Sequence, residues 1–211
     1  FCQDKIMTTA GEGGMITTNN ETLWNSVWSL KDHGKNYKTV YSEEKSEGFR
    51  FLHESFGSNW RMTEIQASIG RIQLKRMSNW HTKRLDNANQ IWRTARQCKG
   101  LRVPSLGKDI EHAAYKCYVF VEVDLLKENW DRDKIVQEIN TLGVPCYWGS
   151  CSEVYLEKAF EGTLLRPAKR LNNARKLGEQ SIMFLVHPSL KKYEIKKTCD
   201  ALLTVMKKAS A

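Results

Sequence analysis

The sequence predicts a mixed α/β protein organised around one unusually long helix. Three observations carry that expectation. A β-branched run near the N-terminus is interrupted by a glycine cluster, a helical apolar pattern persists through segment 63–98, and short apolar runs alternate with amphipathic stretches beyond it. They divide the chain into segments 1–62, 63–98 and 99–211.

Residues 5–18 read as a strand, a tight turn and a second strand. Lys5-Ile6-Met7-Thr8-Thr9 leads into Ala10-Gly11-Glu12-Gly13-Gly14, and Met15-Ile16-Thr17-Thr18 follows. Asn19 or Asn20 then caps a helix over 21–33, with Leu23, Val27 and Leu30 as its buried stripe and Gly34 at the C′ position. Residues 35–60 show no steady periodicity, from Lys35-Asn36-Tyr37 through Ser42-Glu43-Glu44 to Gly57-Ser58-Asn59-Trp60. A loop of that length inside a compact domain is functional or lies at an interface.

Thr63-Glu64-Ile65-Gln66 is a capping box, with Thr63 as N-cap and Gln66 as its N3 partner. Behind it, Ile65, Ile69, Ile72, Trp80, Leu85, Ala88, Ile91, Trp92 and Ala95 keep near-helical spacing, and no proline intervenes before Pro104. The predicted helix of about 35 residues would run about 50 Å. Such a helix bridges domains more often than it belongs to one.

The remainder reads as a small α+β unit. Tyr115 to Val123 form a strand with little polar alternation, so both faces are expected to be covered. Asp131 or Asp133 starts a helix with apolar face Ile135, Ile139 and Leu142, and Gly143 ends it. Val144 to Trp148 make a second strand. A polar stretch from Arg166 to Lys176 precedes the apolar run Ser181 to Val186, which stops at His187-Pro188. An amphipathic helix with Ile195, Cys199, Leu202 and Met206 closes the chain.

Composition narrows the function classes. Hydrophobic residues are 41% and charged residues 27%, which excludes disorder as the main state. No apolar run approaches the roughly 18 residues that a membrane helix needs, so no membrane partner is expected. Cysteines at 2, 98, 117, 146, 151 and 199 form no CxxC pair and match no zinc framework. They read as reduced thiols in a cytoplasmic protein, with Cys117 and Cys146 in apolar runs. Lys+Arg 33 against Asp+Glu 24 gives a net charge of +9. The bases are spread thinly over predicted helix faces, Lys75, Arg76, Lys83, Arg84, Arg93 and Arg96 among them, as solvated surface rather than a nucleic-acid footprint. The opening Phe1-Cys2-Gln3-Asp4 has no initiator Met, basic n-region or apolar h-region, and reads as the start of a fragment or a processed chain.

Lys5 is unremarkable by composition, since a lysine at a strand edge is usually a surface cation. Its possible chemistry is specific, however. A deprotonated lysine amine bonds an aldehyde cofactor and then shuttles a proton, and neighbouring glycines permit close backbone approach to a ligand.

The segment Phe1-Cys2-Gln3-Asp4-Lys5-Ile6-Met7-Thr8-Thr9-Ala10-Gly11-Glu12-Gly13-Gly14 resembles the cofactor-lysine segment of the DegT/DnrJ/EryC1/StrS family. Members are pyridoxal-phosphate-dependent aminotransferases acting on nucleotide-linked keto-sugars. Leu30-Lys31-Asp32-His33-Gly34 is similar to the family's helix end, and Gly57-Ser58-Asn59-Trp60-Arg61-Met62-Thr63-Glu64-Ile65-Gln66-Ala67 resembles its G-x-N-x-R-M-[ST]-E-x-Q-A motif. His112 to Lys116, Gly143 to Cys146 and His187-Pro188 follow in the family's order, so the likeness spans essentially the whole chain.

The resemblance implies the PLP-dependent transferase fold type I, which is aspartate aminotransferase-like. Segment 1–62 would be the C-terminal part of the large PLP-binding domain with its active-site loop. Segment 63–98 would be the connecting helix, and 99–211 the small C-terminal domain. It implies that Lys5 carries pyridoxal 5'-phosphate, and that Asn59 reaches the cofactor phosphate of the neighbouring subunit in a homodimer with shared active sites. Arg61 becomes a candidate for an anionic group on the amino donor or the sugar nucleotide. As a structural alternative, Asn59 and Arg61 form a loop-to-helix cap. Tyr155 and His187 lie in regions that line the sugar side of the pocket in relatives, although a strand-end tyrosine and a His-Pro turn are often only packing. The implied reaction passes an amino group from an amino acid, glutamate being expected, to a keto-sugar nucleotide for polysaccharide or lipopolysaccharide synthesis.

There are departures. Many members carry histidine three residues before the lysine, where this chain has Cys2. Related dehydrases replace the lysine by histidine, so Lys5 favours transamination. The chain begins one position after the family's phosphate-binding serine, and the 211 residues alone are expected to bind the cofactor poorly and turn over nothing. Two rival readings remain, a catalytically silent relative with a regulatory or assembly role and a basic nucleic-acid-binding protein. The second rests on net charge alone, and a steep salt slope would reveal it.

Overall fold

The computed structural model describes residues 1–43 and 51–211. The chain forms two compact units, Phe1–Met77 and Ser78–Ala211.

In the first unit, α1 (Glu21–Lys31) starts where the sequence places it, with the Asn20 side chain accepting from the Leu23 N–H at 3.0 Å. Its expected buried stripe is not buried. Leu23 and Leu30 are exposed and α1 contains no buried residue, because periodicity marks which face is apolar and not what covers it. A short helix, α2 (Tyr37–Tyr41), occupies part of the expected 35–60 loop, whose residues 44–50 lie outside the described residues. α2 packs on α1 through aromatic edges: the Tyr37 ring lies 4.8 Å from that of Trp24 and 5.1 Å from that of Trp28.

The strand–turn–strand expected over 5–18 does not form. The Lys5 N–H bonds the Cys2 carbonyl at 3.3 Å in a turn, and Ala10 (φ 59°) reverses the chain. The pair that meets across this loop is Phe1 with Gly13, which exchange backbone bonds of 2.6 and 3.0 Å. β-branched residues favour an extended backbone but do not supply a partner strand.

The capping box forms as read. The Thr63 N–H donates to Gln66 Oε1 at 3.2 Å and the Gln66 N–H to Thr63 Oγ1 at 3.4 Å. Helix α3 (Glu64–Ala95) follows with 32 residues, and the boundary between the units falls inside it. Within the first unit its early residues hold the segment after Lys5. Gln73 accepts from the Thr8 N–H at 2.8 Å, and Gln66 Nε2 donates to the Glu12 carbonyl at 3.0 Å.

The second unit is a four-stranded antiparallel sheet, in order β1 (Leu101–Arg102), β2 (Cys117–Val121), β4 (Ser181–Phe184), β3 (Cys146–Tyr147). Cys117, Val119 and Val121 are fully buried, while Tyr118 and Phe120 are half-buried on the opposite face. α4 (Arg132–Thr141) begins at Asp131, which accepts from the Lys134 N–H at 2.8 Å, and Gly143 follows its end at φ 71°. Ile135 and Ile139 are buried as expected, but Val136 joins them and Leu142 stays exposed. The final helix α6 (Lys192–Ala209) buries Ile195, Leu202, Val205 and Met206. From the C-terminal half of α3 come Ala88, Ile91, Trp92 and Ala95, and the Trp92 indole N–H donates to the Tyr118 carbonyl at 2.9 Å. α5 (Asn172–Gln180) lies partly in the stretch that reads only as polar, because it buries no residue and so leaves no apolar stripe to read.

Cys117 and Cys146 are buried free thiols. Burial raises the Cys117 thiol far above its usual range and pushes Cys146 up to about 12. In the folded protein at pH 8, a thiol reagent is therefore expected to label exposed Cys151 and to reach Cys117 and Cys146 only after denaturation. Labelling of Cys117 before unfolding, located by peptide mass, would contradict this packing.

Candidate active site

The motif residues after Gly57 are held in place by the end of α1. A helix leaves its last carbonyls without intrahelical donors. Here the Ser58 N–H donates to the Leu30 carbonyl at 2.8 Å, and the Trp60 N–H to that of Lys31 at 2.9 Å. The His33 N–H returns the contact to the Ser58 carbonyl at 3.2 Å, and Asp32 and Asn59 form an isolated antiparallel bridge. Two glycines make this approach possible. A Cβ on Gly34, which sits at φ 82°, would lie 1.8 Å from the Ser55 carbonyl oxygen. One on Gly57 would lie 2.4 Å from the Gly34 nitrogen and 2.7 Å from the Leu30 oxygen.

Asn59 is thus pinned between two anchored neighbours, with its side chain exposed. Arg61 Nε donates to Asn59 Oδ1 at 3.0 Å, and Arg61 Nη2 lies 3.3 Å from His33 Nε2. Beneath them is Asp32, 8% exposed, whose carboxylate lies 3.2 Å from Lys35 Nζ, 3.7 Å from Arg61 Nε and 3.9 Å from Lys31 Nζ. Burial by itself would raise this carboxyl, but the Lys35 hydrogen bond and the charges of Lys35, Arg61 and Lys31 outweigh it and hold the pKa below the ordinary value. Asp32 is the residue that sequence reasoning missed as part of a site. One signal for it exists: an acid at a helix C-terminus opposes the helix dipole and needs nearby cations.

Lys5 lies in the turn that begins at Cys2, its side chain 56% exposed and its Nζ 3.8 Å from the Asp4 carboxylate. The Cys2 thiol also donates to Asp4. Lys5, Asn59 and Arg61 belong to the first unit, whereas Tyr155 and His187 belong to the second.

Tyr155 is buried, and its hydroxyl donates to Glu153 at 2.6 Å while accepting from the Leu171 N–H at 2.8 Å. Glu153 receives two bonds from Arg170, and these, followed by the Tyr155 bond, hold its carboxyl down to about 2. The phenol therefore has an evident structural task at the start of α5. His187 follows β4, is exposed, and is held by Asn87 Nδ2 on its carbonyl at 3.3 Å. The Ser189 N–H donates to His187 Nδ1 at 3.3 Å, which leaves the proton of the neutral ring on Nε2. Burial, then the charge of Arg84, lowers the His187 pKa and favours that neutral form.

The residue types suit an aldehyde cofactor that carries a phosphate, Lys5 for the aldehyde and, separately, Asn59 with Arg61 for a phosphate. An exposed lysine amine is present, and an amide whose oxygen is already occupied leaves its NH2 group to donate, beside a guanidinium. The sequence pattern of the DegT/DnrJ/EryC1/StrS aminotransferase family matches residues 1–203. An aminotransferase from Psychrobacter cryohalolentis is similar in structure, with a TM-score of 0.93 and 55% identity over 98% of this chain and 54% of that one. The spore coat polysaccharide biosynthesis protein SpsC of Bacillus subtilis is 25% identical over 94% of this chain and 51% of its own length. GDP-perosamine synthase of Caulobacter vibrioides is 28% identical over 68% of this chain and 35% of its own. The chain therefore belongs to the DegT/DnrJ/EryC1/StrS aminotransferase family, and its architecture is that of PLP-dependent transferases of fold type I. It spans about half the length of these relatives or less. Among the described residues no helix is long and apolar enough to cross a membrane.

Two outcomes test this geometry. Gly57→Ala should cost about 1–3 kcal/mol, as overpacking does, and speed hydrogen exchange at the Ser58 and Trp60 amides. Unchanged exchange there would mean that the loop is not held by this approach. Because Asp32 has a depressed folded pKa, its contribution is present above the unfolded carboxylate value and is lost as pH falls through the folded one. The Trp60 amide should then lose protection on acidification below the ordinary carboxylate range, and Asp32→Asn should abolish that dependence.

Proposed function

We propose that the protein is a pyridoxal 5'-phosphate-dependent aminotransferase that moves an amino group from an amino acid, glutamate being expected, to a nucleotide-linked keto-sugar. The product would enter polysaccharide or lipopolysaccharide synthesis in the cytoplasm. The observation that carries this reading is the Asn59–Arg61 loop, locked onto the end of α1 with the amide NH2 of Asn59 left to donate beside a cation. Similarity to a protein named GDP-perosamine synthase supports a nucleotide-sugar substrate.

When bound, the cofactor supplies the electron sink that makes a proton on the donor's Cα removable. Lys5 Nζ would hold the cofactor covalently and, once released from it, move that proton. Asn59 would donate to the phosphate of the neighbouring subunit's cofactor in a homodimer, and Arg61 would face an anionic group of the donor or the sugar nucleotide. His187 would present its Nε2–H to the sugar, with Tyr155 holding the adjoining chain. Segments 1–62, 63–98 and 99–211 would serve as large-domain end, connecting helix and small domain.

The purified holoenzyme with Lys5→Ala should lose its visible cofactor absorbance and about 10³-fold or more of its amino transfer, on the scale of a missing acid–base group. Full turnover by that variant with a GDP-keto-sugar and glutamate would sink the assignment.

A further inference from the structure

Asp32 is costly where it stands, since it is nearly buried and sits at the negative end of α1. Its carboxylate faces Lys35, Arg61 and Lys31. Of these, Arg61 alone contacts Asn59, through Nε to Oδ1 at 3.0 Å. Every guanidinium nitrogen donates and none accepts, so the amide must turn its oxygen toward Arg61 and its NH2 away. Reversed, the amide would present oxygen to a phosphate and repel it. Arg61 thus determines which end of Asn59 an anion meets.

A long arginine side chain has many rotamers. Two contacts select this one, the Asp32 carboxylate at 3.7 Å and His33 Nε2 at 3.3 Å. Asp32 is in turn fixed by the Lys35 bond and by its backbone bridge to Asn59. The cluster keeps more positive than negative charge, which suits a phosphate rather than a neutral ligand.

Building on the assignment of Asn59 to the cofactor phosphate, we propose that Asp32 is a positioning residue: it holds Arg61 so that Arg61 turns the Asn59 NH2 group toward that phosphate. A purely structural cap would act differently. Losing a cap would loosen the whole site, whereas losing an orienting group penalises only ligands that carry the phosphate.

The test compares pyridoxal 5'-phosphate with pyridoxal, which lacks the phosphate, as probes for the apo form of the purified enzyme. Dissociation constants and melting temperatures are measured for Asn59→Ala, Asp32→Ala, Arg61→Met and the Asp32→Ala/Asn59→Ala pair. Asn59→Ala should weaken pyridoxal 5'-phosphate about tenfold or more, the scale of one charge-assisted hydrogen bond, and leave pyridoxal unchanged. Asp32→Ala should show the same selectivity at a smaller size, about three- to tenfold, and add little in the double variant, as coupled groups do. If Asp32→Ala does not fold, Arg61→Met carries the same expectation. Should Asn59→Ala leave the ratio between the probes unchanged, the phosphate assignment itself falls, and the role of Asp32 with it. Should Asn59→Ala be selective while the other two variants weaken both probes equally, or neither, only the positioning role is overturned.

Discussion

The end of α1 is the constraint on which the candidate site depends. Its last carbonyls need donors, and the chain supplies them from Ser58 and Trp60 rather than from water. That choice demands two backbones in near contact, which is why Gly34 and Gly57 face one another. With the residues on either side of Asn59 tied to carbonyls, its own side chain is left to project. The helix end and the loop are therefore one structural unit although more than twenty residues separate Asp32 from Gly57 in sequence. The loop needs no sheet of its own to be placed, since one helix terminus and two glycines are enough.

The second unit solves a different problem, that of making a small sheet rigid with short strands. β1 and β3 have two residues each, too few to hold by ladder bonds alone. Side chains supply the rest. Asn140 donates to the Val136 and Cys146 carbonyls at 2.8 Å and accepts from the Cys146 N–H, joining α4 to β3. Arg132 donates to the carbonyls of Gly178 and Ser181 at 2.9 Å, where α5 ends. These bonds are part-buried at the rim of an apolar core, so each works in a setting of reduced solvent competition.

What the sequence shows well is what is local. The Thr63–Gln66 box, the Asp131 cap, the Gly143 stop and the period of α3 each involve residues within one or two turns, and each is found where its spacing puts it. Legibility fails when the outcome depends on a distant partner. The 5–18 segment has the composition of a hairpin, yet its flanks do not pair, because extended propensity carries no information about what lies alongside. The stripe of α1 is apolar and largely uncovered for the same reason. At the candidate site, Lys5, Asn59 and Arg61 were visible through family motifs, while Asp32 lay inside the similar Leu30–Gly34 segment without a role of its own. Tyr155 shows the reverse, since a tyrosine expected to line a pocket has its hydroxyl engaged by Glu153 and Leu171.

Electrostatics explains why Asp32 is hard to read as a stabiliser. Three cations converge where a helix dipole already favours positive charge, so a neutral cap would leave them solvated near the negative end of α1 at little cost. Placing a carboxylate there instead adds desolvation and a dipole conflict, which the cations then offset. The net gain in stability from such an arrangement is small, because the attraction of the cations is set against desolvation and the dipole conflict. What the carboxylate adds is direction. It gives a flexible guanidinium one orientation, and through it gives an exposed amide one orientation as well. Specificity of geometry, more than strength of binding, is what one nearly buried carboxylate among partly exposed cations can supply.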